Sequence, residues 1–327
     1  MLVMLALVLF TGFRYVVPLT PSPEPTGENK VLTDTVYYRY ESDIAEMLTD
    51  GNEREIPVKV WYPENMQSKK HPLLVFSHGS FGVSDSNQTL FLELASRGYI
   101  VMSLSHPHHS FKSKMSNGKS IMVDFDFIKA TMSSKGTEDL EGTLESLRGW
   151  TQIRIDDIDL VLDKIFDSNA DNTYEQFIDA KRVVLSGHSL GGTAALAVGR
   201  QRNKDIKALI ILESPFAADI IGIDGDKYVF TDEEYPLPVL HIYSDSLFPR
   251  IDETTIYDMN TRLIKSENPM YVNEHIEGAG HIGLTDMSLV SPIITNLIDR
   301  GLNKRNPSET LLELNGYVLK FLDKYNN

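Results

Sequence analysis

The sequence of 327 residues contains no cysteine, which excludes both disulfide bonds and a catalytic thiolate. Basic residues are scarce: 31 Lys and Arg stand against 46 Asp and Glu, for a formal net charge of −15. A surface of that sign repels polyanions, which argues against nucleic acid or an anionic membrane surface as the main partner. Long apolar runs are also lacking, because the uncharged first thirteen residues are fewer than the roughly 20 that span a bilayer.

Residues 1–13 are mostly Leu, Val, Met and Phe, without the basic residue that usually opens a signal peptide or a small-x-small cleavage site after them. They could be a signal or anchor segment, the end of a longer membrane region, or an arm packed on the domain. We favour membrane association or export, which predicts a membrane-anchored or secreted protein rather than a cytoplasmic one. The prolines of residues 18–28 predict an extended linker, so residues 1–29 are separated from one domain over residues 30–327.

Alternating apolar runs and helical patterns predict an α/β domain, and 327 residues with 42% hydrophobic content can bury a large core. The later strand candidates are short continuous apolar runs, which are typical of strands buried on both faces of a parallel sheet. The predicted strands are Thr33–Tyr40, Ile56–Tyr62, Leu73–Ser77, Tyr99–Ser105, Arg182–Gly187, Ala208–Glu213, Val239–Ser244 and Met270–Ile276. The predicted helices are Gln88–Ser96, Gly149–Phe166 and Glu309–Lys324.

Strand–helix alternation predicts a mostly parallel eight-stranded sheet with helices on both faces. Ligand sites in such sheets lie at the carboxyl ends of the strands. Residues 111–140 and 214–236 do not fit the alternation, and long insertions at this edge are often lids or pocket walls. We therefore expect the functional site and a lid insertion at the same edge.

The sequence Gly187-His188-Ser189-Leu190-Gly191 follows an apolar strand and precedes an Ala-rich helix. A Gly-x-Ser-x-Gly motif in this context is typical of a nucleophile elbow, in which the serine is exposed on a strained turn. The glycines are needed because a Cβ atom at either one would collide with the neighbouring strand or helix. Ser189 is the predicted nucleophile, and strand alternation predicts that His188 points away from it.

A serine hydroxyl needs a general base, and that base needs an orienting carboxylate, expected in the chain order Ser, acid, His. His281 is the predicted base, because it lies in a glycine-containing loop after the last strand candidate, whereas His241 lies inside a strand. Two acids satisfy the order and stay open: Glu213 and the alternative Asp245, each at the end of a strand after the elbow.

An oxyanion requires two backbone N–H donors. We predict that Leu190, the residue after the nucleophile, supplies one and that Ser80, in the loop after the third strand, supplies the other. The cluster His106-Pro107-His108-His109 could suggest zinc, but no carboxylate or cysteine lies at ligand spacing nearby. We therefore predict no metal and no cofactor.

The chain resembles the α/β-hydrolase superfamily, and more narrowly the platelet-activating-factor acetylhydrolase family and its bacterial relatives, from about residue 30 to the C-terminus. The residues that carry the resemblance are Trp61-Tyr62-Pro63, Phe76-Ser77-His78-Gly79, His106-Pro107, Gly187-His188-Ser189-Leu190-Gly191-Gly192 and Gly278-Ala279-Gly280-His281. The resemblance implies an α/β-hydrolase fold and an acid at the position of Glu213, where the family normally has Asp. It also implies oxyanion donors at Ser80 and Leu190, and metal-independent hydrolysis of short or oxidised acyl esters, some of them phospholipids.

The sequence therefore predicts a serine hydrolase that cleaves carboxylic esters of a small molecule or lipid through an acyl-enzyme. The same triad serves lipases, thioesterases and peptidases, and a hydrolase fold can also bind ligands without catalysis. We expect no nucleic-acid partner, and membrane association through residues 1–13.

Overall fold

The computed structural model describes residues 14–18, 20–44, 47–133, 138–167 and 174–326. Residues 1–13, on which the expected membrane association depends, lie outside the described residues. No helix within the described ranges has both the length and the apolar character needed to cross a bilayer.

Eight of the strands form one sheet in the spatial order 1-2-4-3-7-8-11-12, numbered along the chain. The strands are β1 (Val31–Glu41), β2 (Glu53–Pro63), β3 (His71–Ser77), β4 (Ile100–Leu104), β5 (Lys112–Lys114), β6 (Ser120–Met122), β7 (Ile178–His188), β8 (Ala208–Leu212), β9 (Ile220–Asp224), β10 (Lys227–Phe230), β11 (Val239–Ser244) and β12 (Tyr271–Ile276). All eight predicted strands are members of this sheet, so the predicted strands are confirmed with small shifts at their ends.

The sheet is antiparallel only at its β1 edge, where β1 pairs with β2 and β2 pairs with β4. Every other pairing, from β4 through β3, β7, β8 and β11 to β12, is parallel. The runs Leu73–Phe76 and Ala208–Leu212 are buried over their whole length, because helices cover both faces of the central strands. The predicted mostly parallel sheet is confirmed.

Helices cover both faces of the sheet, and a different pair of helices packs on each face. The helices are α1 (Gln88–Ser96), α2 (Phe125–Ser133), α3 (Leu140–Phe166), α4 (Leu190–Gln201), α5 (Asp258–Ile264), α6 (Met287–Val290), α7 (Pro292–Ile298) and α8 (Pro307–Tyr325). One apolar core joins the sheet to α3 and α4, and the other joins it to α1 and α8. The helix predicted from Gly149 begins earlier, at Leu140, where Asp139 caps the first turn by accepting from the Gly142 N–H.

The proline-containing segment before β1 lies along α1. Thr26 donates to the Glu93 carboxylate through both its backbone N–H and its hydroxyl, at 2.8 and 2.6 Å. The Gly27 N–H donates to the Ser96 hydroxyl, and the Asn29 amide donates to the Ser96 carbonyl oxygen. These hydrogen bonds attach this segment to the folded domain.

The two insertions contain short elements at the carboxyl edge of the sheet. Residues 111–140 contain the β5–β6 hairpin and α2, whereas residues 214–236 contain the β9–β10 hairpin. The second hairpin packs on the start of α3, where the hydroxyl of Tyr228 donates to the Leu140 carbonyl oxygen at 3.0 Å. Hairpins of this size were missed in the sequence because three- to five-residue strands leave little periodicity to recognise.

Two glycines in helices should respond with opposite signs to replacement by alanine. A Cβ atom at Gly316, on the exposed side of α8, meets nothing within 4 Å, whereas one at Gly199 of α4 lies 2.7 Å from the Tyr235 hydroxyl and 2.8 Å from Leu209. We expect Gly316→Ala to raise the free energy of unfolding by about 0.5–1 kcal/mol through helix propensity. We expect Gly199→Ala to lower it by about 1–3 kcal/mol through overpacking. Urea denaturation checks both values, and equal signs would contradict the described helix–sheet packing.

Candidate active site

Ser189 occupies the turn between the end of β7 and the start of α4, with the backbone angles φ 52° and ψ −126°. A non-glycine residue with this backbone costs on the order of 1–3 kcal/mol, so neighbouring groups must hold it. The Ser189 N–H donates to the Leu212 carbonyl oxygen at 3.0 Å, and its own carbonyl oxygen accepts from the Ser214 hydroxyl at 2.7 Å and the Thr193 N–H at 3.0 Å. These contacts attach the strained turn to β8 and to the first turn of α4.

The glycines on either side of Ser189 allow backbone to touch backbone. A Cβ atom at Gly187 would lie 2.5 Å from the backbone of Gly191, and one at Gly191 would lie 2.0 Å from the Ser77 carbonyl oxygen. Neither neighbour is a flexible side-chain end. The turn therefore requires glycine at both positions, and the second contact joins the elbow to the end of β3.

His281 and Glu213 come together from loops that follow β12 and β8. His281 Nδ1 lies 2.7 Å from Glu213 Oε1, and the Ser244 N–H donates to Glu213 Oε2 at 2.6 Å. Glu213 is 2% exposed, whereas the His281 side chain is partly exposed. The His281 N–H donates to the Ser246 hydroxyl oxygen at 2.8 Å, which fixes the backbone of the histidine as well.

The protonation states of this pair follow from its contacts. Burial alone would raise the pKa of Glu213, but hydrogen bonds from His281 and Ser244 outweigh it and lower that pKa. Burial alone would lower the pKa of His281, but the hydrogen bond to Glu213 and its negative charge raise it, with a smaller contribution from Asp299. Glu213 is therefore a carboxylate, Nδ1 of His281 carries a proton, and Nε2 of the neutral ring is its proton-accepting atom.

The alternative acid Asp245 has other partners. Its Oδ1 lies 2.9 Å from His275 Nε2, and its Oδ2 accepts from the Gly278 N–H at 2.9 Å. Asp245 thus shapes the loop that carries His281 without bonding to the imidazole. Of the two acids that the sequence left open, the structure brings Glu213 to His281.

His188 brings the elbow and the His281 loop into contact. Its ring centroid lies 4.5 Å from that of His281, and its Nε2 donates to the His281 carbonyl oxygen at 3.1 Å. Burial lowers the pKa of His188 well below its usual value, so the ring is neutral. Strand alternation indicated that His188 points away from Ser189, but it did not reveal this support of the neighbouring ring.

The two predicted oxyanion donors lie on segments that meet at the elbow. Leu190 begins α4, and Ser80 lies in the loop after β3; neither backbone N–H has a hydrogen-bond partner among the described residues. A Cβ atom at Gly79 would lie 3.2 Å from the Cβ atom of Ser189, so the Ser80 loop touches the serine turn. The structure thus leaves both amides available beside the elbow.

The clustered histidines after β4 have separate structural contacts. His106 Nδ1 donates to Asp157 Oδ2 at 2.8 Å, His108 donates to the Leu48 carbonyl oxygen, and His109 stacks on Phe127 with centroids 4.0 Å apart. Burial lowers the pKa of His106 to about 4 and that of His109 to about 2, so both rings are neutral. In the part of the chain that the structure describes, no group of three or more His, Asp or Glu is placed to hold a metal ion.

The sequence did not predict a hydrogen-bonded group of a serine, a histidine and an aspartate that lies apart from Ser189. The hydroxyl of Ser77 donates to His106 Nε2 at 2.8 Å, and the other ring nitrogen of His106 donates to Asp157. All three side chains are buried, and Ser77 lies in an ordinary strand rather than on an exposed turn. The hydrogen-bonded group of Ser77, His106 and Asp157 is therefore structural, although its pattern of donors and acceptors is that of a catalytic triad.

Arg154 was also missed. Its guanidinium is buried and donates to the carbonyl oxygens of His78 and Gly79. The available signal was its helical spacing: Arg154 and Asp157 lie four residues before Ile158 and Val161, so they share the buried face of α3. Charged residues at apolar-face positions of a predicted helix indicate a buried polar network.

Comparisons with known proteins show the family and the fold of the chain. The model of the alpha/beta hydrolase family matches residues 74–285. A curated platelet-activating factor acetylhydrolase from Gallus gallus is 22% identical over 283 residues, which cover 79% of this chain and 62% of that protein. The solved structure of ferulic acid esterase from Streptomyces cinnamoneus superposes with a TM-score of 0.67 over 92% of both chains, at 19% identity. At that identity the structural match shows a shared fold.

The pKa of His281 should depend on Glu213 and not on Asp245. Glu213→Gln removes the negative charge but keeps the shape of the side chain, so we expect the pKa of His281 to fall below that of the wild type. Asp245→Asn, the matched control, removes a charge that bonds to His275 instead and should leave the pKa of His281 in place. NMR titration of the His281 ring protons checks both variants. A larger shift with Asp245→Asn would contradict the described pairing.

Proposed function

The chain belongs to the α/β-hydrolase family, and on that basis we propose that it is a serine hydrolase that cleaves carboxylic esters through an acyl-enzyme. The observation that carries the proposal is the 2.7 Å bond between His281 and Glu213, formed where His281 packs on the residue that precedes Ser189. The left-handed backbone of Ser189 adds support, because strained serines at strand–helix turns are typical of nucleophiles. The curated relative matches over only about 62% of its length, so the activity in its name is an indication rather than an assignment.

In the proposed acylation step, Ser189 Oγ attacks the carbonyl carbon of the ester while His281 Nε2 accepts the hydroxyl proton. Glu213 keeps the proton of the imidazole on Nδ1 and stabilises the imidazolium that forms. The N–H groups of Ser80 and Leu190 donate to the negative oxygen of the tetrahedral intermediate. Collapse breaks the bond to the alcohol oxygen, which takes the proton from His281 and leaves Ser189 acylated.

Deacylation repeats the sequence with water. His281 accepts a proton from the water molecule as the water oxygen bonds to the acyl carbon, and the same two amides hold the second oxyanion. The bond to Ser189 Oγ then breaks, the serine recovers its proton from His281, and the carboxylic acid leaves. No step in this scheme needs an electron acceptor or a second substrate besides water.

For the substrate we propose a short-chain or phospholipid-type acyl ester. An aromatic group borders the loop of Ser80: Phe127 of α2 packs on Phe81 and on Trp150, with centroids 5.3 Å apart in each pair. Phe81 and Trp150 are partly exposed, whereas Phe127 between them is buried, so the two outer rings offer apolar contact to an acyl chain. The names of the two relatives, an acetylhydrolase and an esterase, favour ester bonds over the peptide and thioester bonds that the same triad could cleave.

A fluorophosphonate probe should label the wild type on Ser189, because attack of Oγ on phosphorus expels fluoride in the same geometry as acylation. We expect Ser189→Ala to abolish labelling and to lower kcat on short-chain nitrophenyl esters by a factor on the order of 10⁴ or more. Ser68→Ala, at an exposed serine, is the control and should change neither. Mass spectrometry of the adduct and a panel of esters, thioesters and amides give the readouts. An adduct on another residue, or turnover unchanged in Ser189→Ala, would overturn the proposal, and binding without turnover would indicate a non-catalytic protein.

The pH dependence of kcat/KM should have one acidic limb. The imidazolium form of His281 cannot accept a proton, so activity falls as the pH drops through the pKa of His281. Because Glu213 raises that pKa, the midpoint of the wild type should lie above 6.5, the ordinary value for histidine. In Glu213→Gln we expect the midpoint to move to lower pH and the plateau to fall on the order of 10²- to 10⁴-fold. A midpoint that rises in Glu213→Gln would show that another group controls the limb.

A further inference from the structure

Arg154 of α3 contacts the end of β3 and the start of the loop that follows it. Its buried guanidinium donates to the carbonyl oxygen of His78 through Nη1 and to that of Gly79 through Nη2, the latter at 3.4 Å. Nη1 also lies 3.5 Å from the hydroxyl of Ser77. One side chain thus contacts three consecutive residues, and the next residue is the proposed oxyanion donor Ser80.

The positive charge of Arg154 has no carboxylate of its own among the described residues. The nearby Asp157 is occupied by Arg54, whose Nε and Nη2 donate to its two oxygens, each at 2.8 Å. The histidines at this place are neutral, because burial lowers the pKa of His78 well below its usual value and that of His106 to about 4. Two arginines and one carboxylate leave a net positive charge behind the loop. A buried charge without a partner is unfavourable, so its presence calls for a compensating use.

The peptide between Gly79 and Ser80 links the contact of Arg154 with the Gly79 carbonyl oxygen to the orientation of the Ser80 N–H beside the elbow. A trans peptide is planar, and its C=O and N–H groups point in opposite directions. The Gly79 oxygen accepts from Arg154, from His78 Nδ1 at 2.7 Å and from the Gly82 N–H at 3.1 Å, so the peptide cannot rotate without breaking three bonds. Its N–H is directed away from Arg154 and has no partner among the described residues.

We propose that Arg154 is a positioning residue for the oxyanion site: it fixes the Gly79–Ser80 peptide, polarises the Ser80 N–H, and places an unpaired positive charge behind the developing negative oxygen. The inference rests on the proposed function and adds to it a residue that never touches the substrate. Donors in such a chain strengthen one another, and a fixed charge near the oxyanion favours the transition state over the neutral ester. The contribution of Arg154 should therefore appear in kcat and only weakly in KM.

The test compares Arg154→Met and Arg154→Lys with the wild type. We expect Arg154→Met to lower kcat about 10- to 100-fold with KM changed less than about threefold, since the Ser80 N–H is released rather than deleted. Affinity for a trifluoromethyl ketone, which forms a hemiketal oxyanion on Ser189, should fall by the same factor as kcat/KM. Affinity for the ether of the same chain length, which has no carbonyl, should stay within about threefold. Arg154→Lys keeps the charge but not the two-carbonyl contact, and it should lie between the wild type and Arg154→Met.

The matched control is Arg202→Met, which removes a guanidinium that pairs with Asp163 and Asp205. Arg202 follows α4 about 18 Å from Leu190 at 1.5 Å per residue, and its loss should leave kcat and ketone binding unchanged. If both Arg154 variants fold and keep the wild-type kcat, or if ether and ketone affinities fall equally, the inference is wrong while the proposed function stands. If Ser189→Ala turns over esters as the wild type does, both are wrong.

A second measurement needs no variant. In a crystal structure of the wild type with a phosphonylated Ser189, a phosphoryl oxygen should accept from the Ser80 N–H while the guanidinium of Arg154 stays bonded to the Gly79 carbonyl oxygen. A phosphoryl oxygen bound by Leu190 without Ser80, or a Gly79 peptide turned away from Arg154, would overturn the inference.

Discussion

The structure depends on the contact between the serine turn and the end of β3. The Gly191 backbone lies so close to the Ser77 carbonyl oxygen that a Cβ atom there would be 2.0 Å away. This contact sets the loop of Ser80 beside Ser189, and the Ser189 N–H on the Leu212 carbonyl oxygen sets β8, and with it Glu213, on the other side. The hydrogen bonds to the Ser189 backbone, each worth about 0.5–1.5 kcal/mol, are together enough to offset strain of about 1–3 kcal/mol.

The molecule holds two groups of serine, histidine and carboxylate residues, and only the group of Ser77, His106 and Asp157 is buried throughout. Ser77, His106 and Asp157 are joined by 2.8 Å bonds, yet all three are buried and Ser77 has ordinary strand geometry. In the other group, His281 and Ser189 are partly exposed while only Glu213 is buried. The carboxylates also have different partners, since Asp157 is neutralised by Arg54, whereas the charge of Glu213 acts on His281. Exposure and the use of the charge, rather than the order of donors and acceptors, separate the two groups.

Much of the fold could be predicted from the sequence, because the patterns that indicate it lie within short stretches of residues. The Leu73–Phe76 and Ala208–Leu212 runs are continuous apolar segments of strand length, and the family of the chain follows from motifs contiguous in sequence, such as Gly187 to Gly191. The short hairpins of the insertions were not predicted, because strands of three to five residues are too short to show an alternation of apolar and polar residues. The start of α3 at Leu140 escaped because its first turns pack on the β9–β10 hairpin, a partner that lies far along the chain.

By itself, the sequence determined the strands of the sheet and the turn at Ser189, because each depends on residues within a few positions of one another. It also predicted His281 and the two candidate acids from their order along the chain. Only the tertiary structure distinguishes Glu213 from Asp245, since both follow neighbouring parallel strands, but Glu213 reaches His281 and Asp245 reaches His275. It alone also revealed Arg154, whose meaning depends on carbonyl groups more than seventy residues away in sequence. Hydrogen bonds act over about 3 Å of space regardless of sequence separation, and that distance is set by how the sheet and its helices pack.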